Sequence, residues 1–242
     1  MTRVGIHQPN YAPWAGYFAK IASSDVFVFL DNVQMPKGRS YVYRTSVPAP
    51  DGTAWLSVPT SAPSGSPIDE VRFADDAWGT KHLDRLRSIY RRAPAWREVS
   101  ELIEPVYTAP GDRLAEFNIR LIRTVAGYLG LAPRWERSSA LSSEGTADDR
   151  LISLTELVGG DTYVSGTGGQ NYQSGEKFAA VGIALEVHEY RPVPYRQFDQ
   201  AFTPGLTILD ALFHLGRDAR GILEYPLAER AATDAGDAAQ ER

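Results

Sequence analysis

Apolar and polar stretches alternate at the start of the chain in a way that predicts a strand, a helix and a second strand. Val4 and Ile6 belong to an apolar run that stops at Pro9, because proline fixes φ and forces the preceding residue out of the helical region. The next apolar residues recur at helical spacing and predict a helix that begins near Pro13: Trp14, Tyr17, Phe18 and Ile21. Residues 26–30 are all apolar, which is typical of a strand buried on both faces. The opening of the chain is therefore predicted to be a βαβ unit.

The remainder of the chain continues with further strands and helices. Residues 41–47 alternate in polarity, and a second strand pattern at 55–58 follows an Asp-Gly pair, which predicts a β-hairpin. Helical periodicity marks residues 78–92, 99–107, 113–129, 147–158 and the segment after Thr207, and strand patterns mark residues 134–139, 162–166 and 184–190. We predict an α/β fold with a Rossmann-like open, mostly parallel sheet flanked by helices and a β-hairpin insertion.

The length and composition are sufficient for one sizeable core. The chain has 242 residues and is 43% hydrophobic, so residues 1–227 are predicted to form a single α/β domain. The last stretch, residues 228–242, is rich in alanine and acids and has no apolar period. We predict that this C-terminal tail is disordered.

Charge and cysteine content exclude several classes of function. A net charge of −5 and a pI near 5.4 argue against a general nucleic-acid binder. The absence of cysteine removes disulfides, thiol nucleophiles and cysteine zinc sites. The four histidines show no metal-binding helix spacing, so neither a metal nor another cofactor is predicted. No basic-then-apolar leader and no run of eighteen apolar residues is present, so we expect a cytoplasmic protein without a membrane partner.

Polar residues gather where the predicted first and second strands end. His7, Gln8 and Asn10 follow the first strand, and Asp31 follows the second. Because open α/β sheets bind ligands at the carboxyl ends of their strands, these side chains are candidates for a site. The alternative is that His7 and Asn10 only satisfy the backbone of the turn.

Three later positions add candidates for substrate binding. Lys37 and Arg44 flank a basic loop that is suited to a phosphate or carboxylate, although a solvated loop is the alternative. The glycine-rich turn after residues 162–166 is typical of an anion-binding backbone, but it matches neither a P-loop nor a nucleophile elbow. Asp210 is an acid on an apolar helix face, so it is either a hydrogen-bond anchor or a site residue.

The opening also carries a dense motif. The stretches His7-Gln-Pro-Asn-Tyr11, Pro13-Trp14, Gly16-Tyr-Phe18 and Ser24-Asp-Val-Phe-Val-Phe-Leu-Asp31 resemble the signature of WbqC-like proteins, a bacterial family found among surface-polysaccharide (O-antigen) and natural-product genes. Further residues stand where the family has matching ones: Arg44, Ser165, Gly166 and Tyr172. The resemblance implies transfer of glycine or another aminoacyl group.

Our leading hypothesis is an N-acyltransferase that passes a small activated amino acid, glycine by resemblance, from a carrier-protein thioester to an amine of a sugar or other small metabolite. His7 is the predicted base, Asp31 orients either His7 or the amine, and Asn10 is a candidate oxyanion donor. The remaining candidates are assigned to substrate binding: Gln8, Tyr11, Trp14, Lys37, Arg44, Ser165, Gly166, Tyr172 and Asp210. Two alternatives stay open. One is an ATP-dependent adenylylating or ligase-type enzyme, and the other is a non-catalytic binding protein of a biosynthetic cluster.

Overall fold

The computed structural model describes residues 1–169, 173–198 and 201–223. Its strands are β1 (Arg3–His7), β2 (Val26–Phe29), β3 (Arg44–Ala49), β4 (Gly52–Ser57), β5 (Thr60–Ser61), β6 (Arg72–Phe73), β7 (Arg134–Arg137), β8 (Thr162–Gly166) and β9 (Ala184–His188). Its α-helices are α1 (Ala15–Ala22), α2 (Trp78–Tyr90), α3 (Trp96–Thr108), α4 (Leu114–Tyr128), α5 (Ala147–Leu157), α6 (Gly175–Ala180) and α7 (Ile208–Leu215). The tail predicted at residues 228–242 lies outside the described residues.

Five strands form one parallel sheet in the order β7-β2-β1-β8-β9. The chain runs outward from β1 to β2 and β7, and then returns to the other side of β1 for β8 and β9. This arrangement confirms the predicted parallel α/β fold, and β3 with β4 forms the predicted antiparallel hairpin. The reversal of direction makes the boundary between β1 and β8 the topological switch point, which is where such sheets bind ligands.

The strands β1 and β8 separate before they end. Their pairing stops at Gly5 and Val164. Each strand nevertheless remains paired with its outer neighbour, since β1 follows β2 to His7 and β8 follows β9 to Gly166. The two strands therefore form a fork whose open end lies at the carboxyl edge of the sheet.

Apolar side chains pack on both faces of the sheet. The four residues of β2 are all buried, as expected for a strand covered on both sides. Helix α1 lies against the sheet with the predicted face of Tyr17, Phe18 and Ile21 buried. Lys20 is buried on the same helix, with only 5% of its surface exposed. No helix in the described residues is long and apolar enough to cross a membrane.

The loop between β1 and α1 is fixed by contacts to distant elements. Ala12 has a φ of 38°, a left-handed conformation that strains a residue with a Cβ. Its carbonyl oxygen accepts hydrogen bonds from the hydroxyl of Thr45 at 2.9 Å and the hydroxyl of Thr207 at 2.8 Å. The hairpin and the residue before α7 therefore both bind this loop at the Ala12 carbonyl oxygen, and the Ile208 N–H of α7 adds a bond to the carbonyl oxygen of Pro13 at 2.9 Å.

Candidate functional site

A pocket of about 140 Å³ lies in the fork between β1 and β8. Its position is the one expected for a ligand in an open α/β sheet. Residues at the ends of β1, β8 and β9, on and just before α1, and in the segments after β8 and β9 line the pocket: His7, Trp14, Gly16, Tyr17, Lys20, Gly166, Thr167, Gly168, His188 and Tyr190.

His7 is the last residue of β1 and is half-buried in the pocket wall. Its Nδ1 lies 3.0 Å from the carbonyl oxygen of Gln8, and its ring packs against Tyr17 with 4.7 Å between centroids. Burial, together with the charge of Lys20, lowers the pKa of His7 to about 4. The imidazole is therefore uncharged at neutral pH. The Gln8 carbonyl oxygen can only accept a hydrogen bond, so Nδ1 of His7 carries the proton. The lone pair of the neutral ring is therefore on Nε2.

Lys20 reaches the point at which the two strands separate. Its Nζ donates to the carbonyl oxygen of Ile6 at 2.8 Å and lies 5.6 Å from the centroid of the Tyr163 ring. Burial lowers the pKa of Lys20 to about 7, so the amine is about half uncharged at neutral pH. Sequence reasoning missed this residue. The available signal was its spacing of three from Tyr17 and four from Gly16, which places it on a buried face of α1.

Aromatic rings form the outer wall of the pocket. The Trp14 ring is 36% exposed and meets Tyr190 edge to face, with 5.3 Å between centroids. Gly16 permits this position of the indole, since a Cβ there would lie 2.5 Å from it. The inner wall beyond β8 is a 3₁₀ turn over Thr167–Gly169. The pocket thus combines ring faces with polar groups at its base.

The predicted turn residues are in part at this pocket. His7, Trp14 and Gly166 line it. The carbonyl oxygen of Gln8 contacts Nδ1 of His7 and also accepts a hydrogen bond from the Tyr17 hydroxyl at 3.0 Å. Asn10 is buried within the same turn. Within the described residues, no group of three or more histidine, cysteine or acidic side chains is placed to hold a metal ion.

The carboxylate of Asp31 is held by residues at the end of β7. Its carboxylate is completely buried and accepts from Arg137 Nε at 2.7 Å and from the backbone and hydroxyl of Ser139 at 2.9 and 2.8 Å. The Ser138 hydroxyl adds a fourth contact at 3.1 Å. These contacts join the end of β2 to the end of β7, and the expected role of Asp31 in orienting His7 or the amine stays a prediction.

Tyr11 is a core residue that does not line the pocket. It is fully buried, and its hydroxyl lies 2.7 Å from His82 Nδ1 and 2.9 Å from the Tyr107 hydroxyl. His82 Nε2 lies 3.2 Å from the carbonyl oxygen of Ser57. Burial lowers the pKa of His82 to about 4, so this imidazole is also neutral. The substrate contact predicted for Tyr11 is replaced by a buried polar cluster.

Asp210 is a hydrogen-bond anchor in the structure. Its buried carboxylate accepts from the hydroxyls of Tyr90 and Tyr195 at 2.9 and 2.7 Å and from Gln197 Nε2 at 2.9 Å. Of the two alternatives left open for this acid, these contacts support the structural one.

The remaining candidates lie away from the pocket lining. Lys37 is exposed in the loop before β3, and the Arg44 guanidinium stacks on Trp55 at 3.9 Å. Ser165 is buried, and its hydroxyl donates to Gln173 at 2.6 Å. Tyr172 lies outside the described residues.

Comparisons with known proteins agree with the opening motif. Residues 8–222 match the model of the WbqC-like protein family. The chain is 29% identical over 229 residues to uncharacterized protein Rv1507c of Mycobacterium tuberculosis, which covers 93% of this chain and 99% of that protein. No solved structure matches. Because the family model covers residues 8–222, which is most of the chain, the chain belongs to the WbqC-like protein family.

Proposed function

We propose that this protein is an N-acyltransferase whose pocket between β1 and β8 binds the acceptor amine. The donor is a small amino acid, glycine first among the candidates, activated as a carrier-protein thioester. The acceptor is an amine of a sugar or another small metabolite. The observation that carries this proposal is the uncharged imidazole of His7 in a pocket at the switch point of the sheet.

Amide formation from a thioester requires groups that hold the amine and remove its proton. A neutral imidazole accepts a hydrogen bond from an amine N–H and so aims the nitrogen lone pair at the thioester carbonyl. A charged imidazole would instead repel a protonated amine. The low pKa of His7 keeps this acceptor neutral throughout the physiological pH range.

The pocket walls suit a ring-shaped acceptor. Trp14, Tyr17 and Tyr190 supply aromatic surface, while the backbone of Gly166 and Gly168 lies on the opposite side. Aromatic walls with a few polar groups are typical of small-molecule sites, because ring faces bury the apolar side of the ligand. An amino sugar presents both an apolar ring face and the amine.

Mass spectrometry gives a direct test of the reaction. The purified protein is incubated with glycyl-pantetheine thioester and a panel of amino sugars and simple amines. We expect an acceptor whose mass increases by one glycyl residue at a rate that depends on enzyme concentration. An unchanged panel, tested with both pantetheine and carrier-bound donors, would contradict the proposal.

Replacing His7 by glutamine is expected to lower kcat/KM by roughly 10²–10³-fold, the size of effect seen when one orienting or proton-handling group is removed. The thermal midpoint serves as the folding control, since glutamine keeps a polar side chain at the end of β1. A His7→Gln protein that is folded and fully active would remove His7 from the reaction.

The strand order favours a nucleotide-using enzyme as the second candidate. Doubly wound sheets commonly bind nucleotides at the switch point. For the acyltransferase we expect ATP with Mg²⁺ to leave the melting temperature unchanged. A specific nucleotide site would instead stabilise the fold by about 2.7 kcal/mol at a ligand concentration of 100 times Kd. A concentration-dependent rise would therefore favour the adenylylating enzyme.

A further inference from the structure

His7 is too weak a base to complete the proposed transfer by itself. Its pKa of about 4 means that it holds a proton poorly at neutral pH. General bases work best when their pKa is near the pH at which the enzyme operates. The amine proton therefore needs a second acceptor in the same pocket.

Lys20 is placed to be that acceptor. Its Nζ is in the fork, where the carbonyl of Ile6 has left the pairing with β8 and accepts from the lysine at 2.8 Å. No carboxylate forms an ion pair with Lys20 within residues 1–169, 173–198 and 201–223, so no counter-ion there stabilises its charged form. A buried lysine without a counter-ion loses its proton more readily than an exposed one.

The titratable groups around the Lys20 amine come from every element packed on this part of α1. Glu186, on β9, is engaged by Arg3 at 2.9 Å. The other titratable groups are phenols and imidazoles, and none of them is a carboxylate: His7, Tyr17, Tyr163, His188 and Tyr190. The Lys20 amine, with a pKa of about 7, is therefore a stronger base than His7 in the same pocket.

We propose that the Lys20 amine is the catalytic base of the acyl transfer and passes the proton from the attacking amine to the leaving thiolate. This role rests on the proposed function. The acceptor nitrogen forms a bond to the thioester carbonyl carbon, and its proton moves to Nζ. The carbon–sulfur bond then breaks, the thiolate takes the proton from Nζ, and Lys20 returns to its uncharged form.

The chemistry excludes a covalent role for Lys20 in this reaction. Acylation of Nζ would create an amide, which is far less reactive than the thioester and would stop turnover. The charges in the pocket are consistent with Lys20 moving the proton while His7 orients the amine. When Lys20 is protonated, its charge lowers the pKa of His7 further, so the imidazole stays neutral and continues to orient the amine.

NMR measures the protonation of Lys20 without any substrate. The chain contains four lysines: Lys20, Lys37, Lys81 and Lys177. In protein carrying ¹³C-labelled lysine, the signal that disappears in both Lys20→Met and Lys20→Arg belongs to Lys20. We expect it to titrate at about pH 7, well below Lys177, whose pKa Asp149 raises. A Lys20 midpoint near pH 10 would overturn the proposal.

Kinetics then test the role in transfer, with glycyl-pantetheine and the best acceptor of the panel. We expect Lys20→Met to lower the rate at least 100-fold and to remove the loss of activity below pH 7. Lys20→Ala should recover glycyl transfer to that acceptor when methylamine is added, with the product of methylamine acting as an acceptor counted separately by its mass. The matched control is Lys177→Met, an exposed lysine, with an unchanged rate.

The outcomes separate this role from the proposed function. An active wild-type protein together with an equally active Lys20→Ala protein would overturn the role of Lys20 alone. A folded Lys20→Ala protein that stays inactive at every methylamine concentration would do the same. A wild-type protein that transfers glycine to no acceptor would overturn the function and the role of Lys20 together.

Discussion

Acidification from pH 7 to pH 4 is expected to lower the free energy of unfolding by about 6 kcal/mol through two histidines alone. His7 and His82 each have a folded-state pKa of about 4, against 6.5 for an ordinary histidine. Between these two pH values, the unfolded chain binds protons that the folded protein does not. Their stabilising effect is therefore complete above pH 6.5 and is lost as the pH falls towards 4.

The size of the effect follows from the pKa shifts. Each pKa unit corresponds to about 1.36 kcal/mol, so each histidine contributes roughly 3 kcal/mol by pH 4. A domain with an ordinary stability of about 5–15 kcal/mol would lose a large part of it. His82 is expected to act through its buried cluster with Tyr11, and His7 through the pocket.

Urea unfolding at half-unit pH intervals measures this prediction. We expect His82→Gln and His7→Gln each to reduce the pH dependence between 6.5 and 4 by about half, and the double variant to remove most of it. Acidic residues that titrate below pH 4 serve as an internal reference, because both variants retain them. If the free energy of unfolding depended on pH equally in the wild-type and double-variant proteins, the prediction would be contradicted.

Replacing Asp210 by alanine is expected to lower the free energy of unfolding by about 3–5 kcal/mol. Three buried donors, from Tyr90, Tyr195 and Gln197, lose their shared acceptor. Each buried polar group left without a partner costs about 1–3 kcal/mol, and alanine adds a small cavity at the first turn of α7. The effect falls on stability, because Asp210 is absent from the pocket lining.

Chemical denaturation compares Asp210→Ala with two milder variants. Asp210→Asn keeps the volume and one acceptor oxygen, and Tyr90→Phe removes a single donor, so both should lose about 1–2 kcal/mol. The test is whether Asp210→Ala loses more unfolding free energy than either Asp210→Asn or Tyr90→Phe. An alanine variant as stable as the wild type would mean that the three donors find other partners.

The order of elements was predictable because it depends on local patterns. Residues 26–30 are apolar between two acids, and this pattern by itself predicts a strand buried on both faces. Pro9 ends β1, and the spacing of Tyr17, Phe18 and Ile21 defines the buried face of α1. The parallel sheet follows from the alternation of such segments, so the fold class could be predicted from the sequence.

The site was only partly predictable, because partner choice depends on distant residues. Asp31 follows β2 as a site acid would, but Arg137 and Ser139 lie more than 100 positions later and occupy its carboxylate. The burial of Lys20 depends on where β8 leaves β1, which no local pattern records. His7 was identified because it stands at a strand end, where position alone predicts exposure to a ligand.

The left-handed backbone of Ala12, and the hydrogen bonds that its carbonyl oxygen accepts, matter for attempts to shorten this protein. Thr45 belongs to the hairpin, yet its hydroxyl helps to hold the backbone that leads directly to Trp14. Deleting the hairpin would remove the Thr45 hydrogen bond, which is one of the two side-chain hydrogen bonds that hold Ala12 in its left-handed conformation. A shortened version of the protein should therefore retain the hairpin, so that both hydrogen bonds to Ala12, two residues before Trp14, are kept.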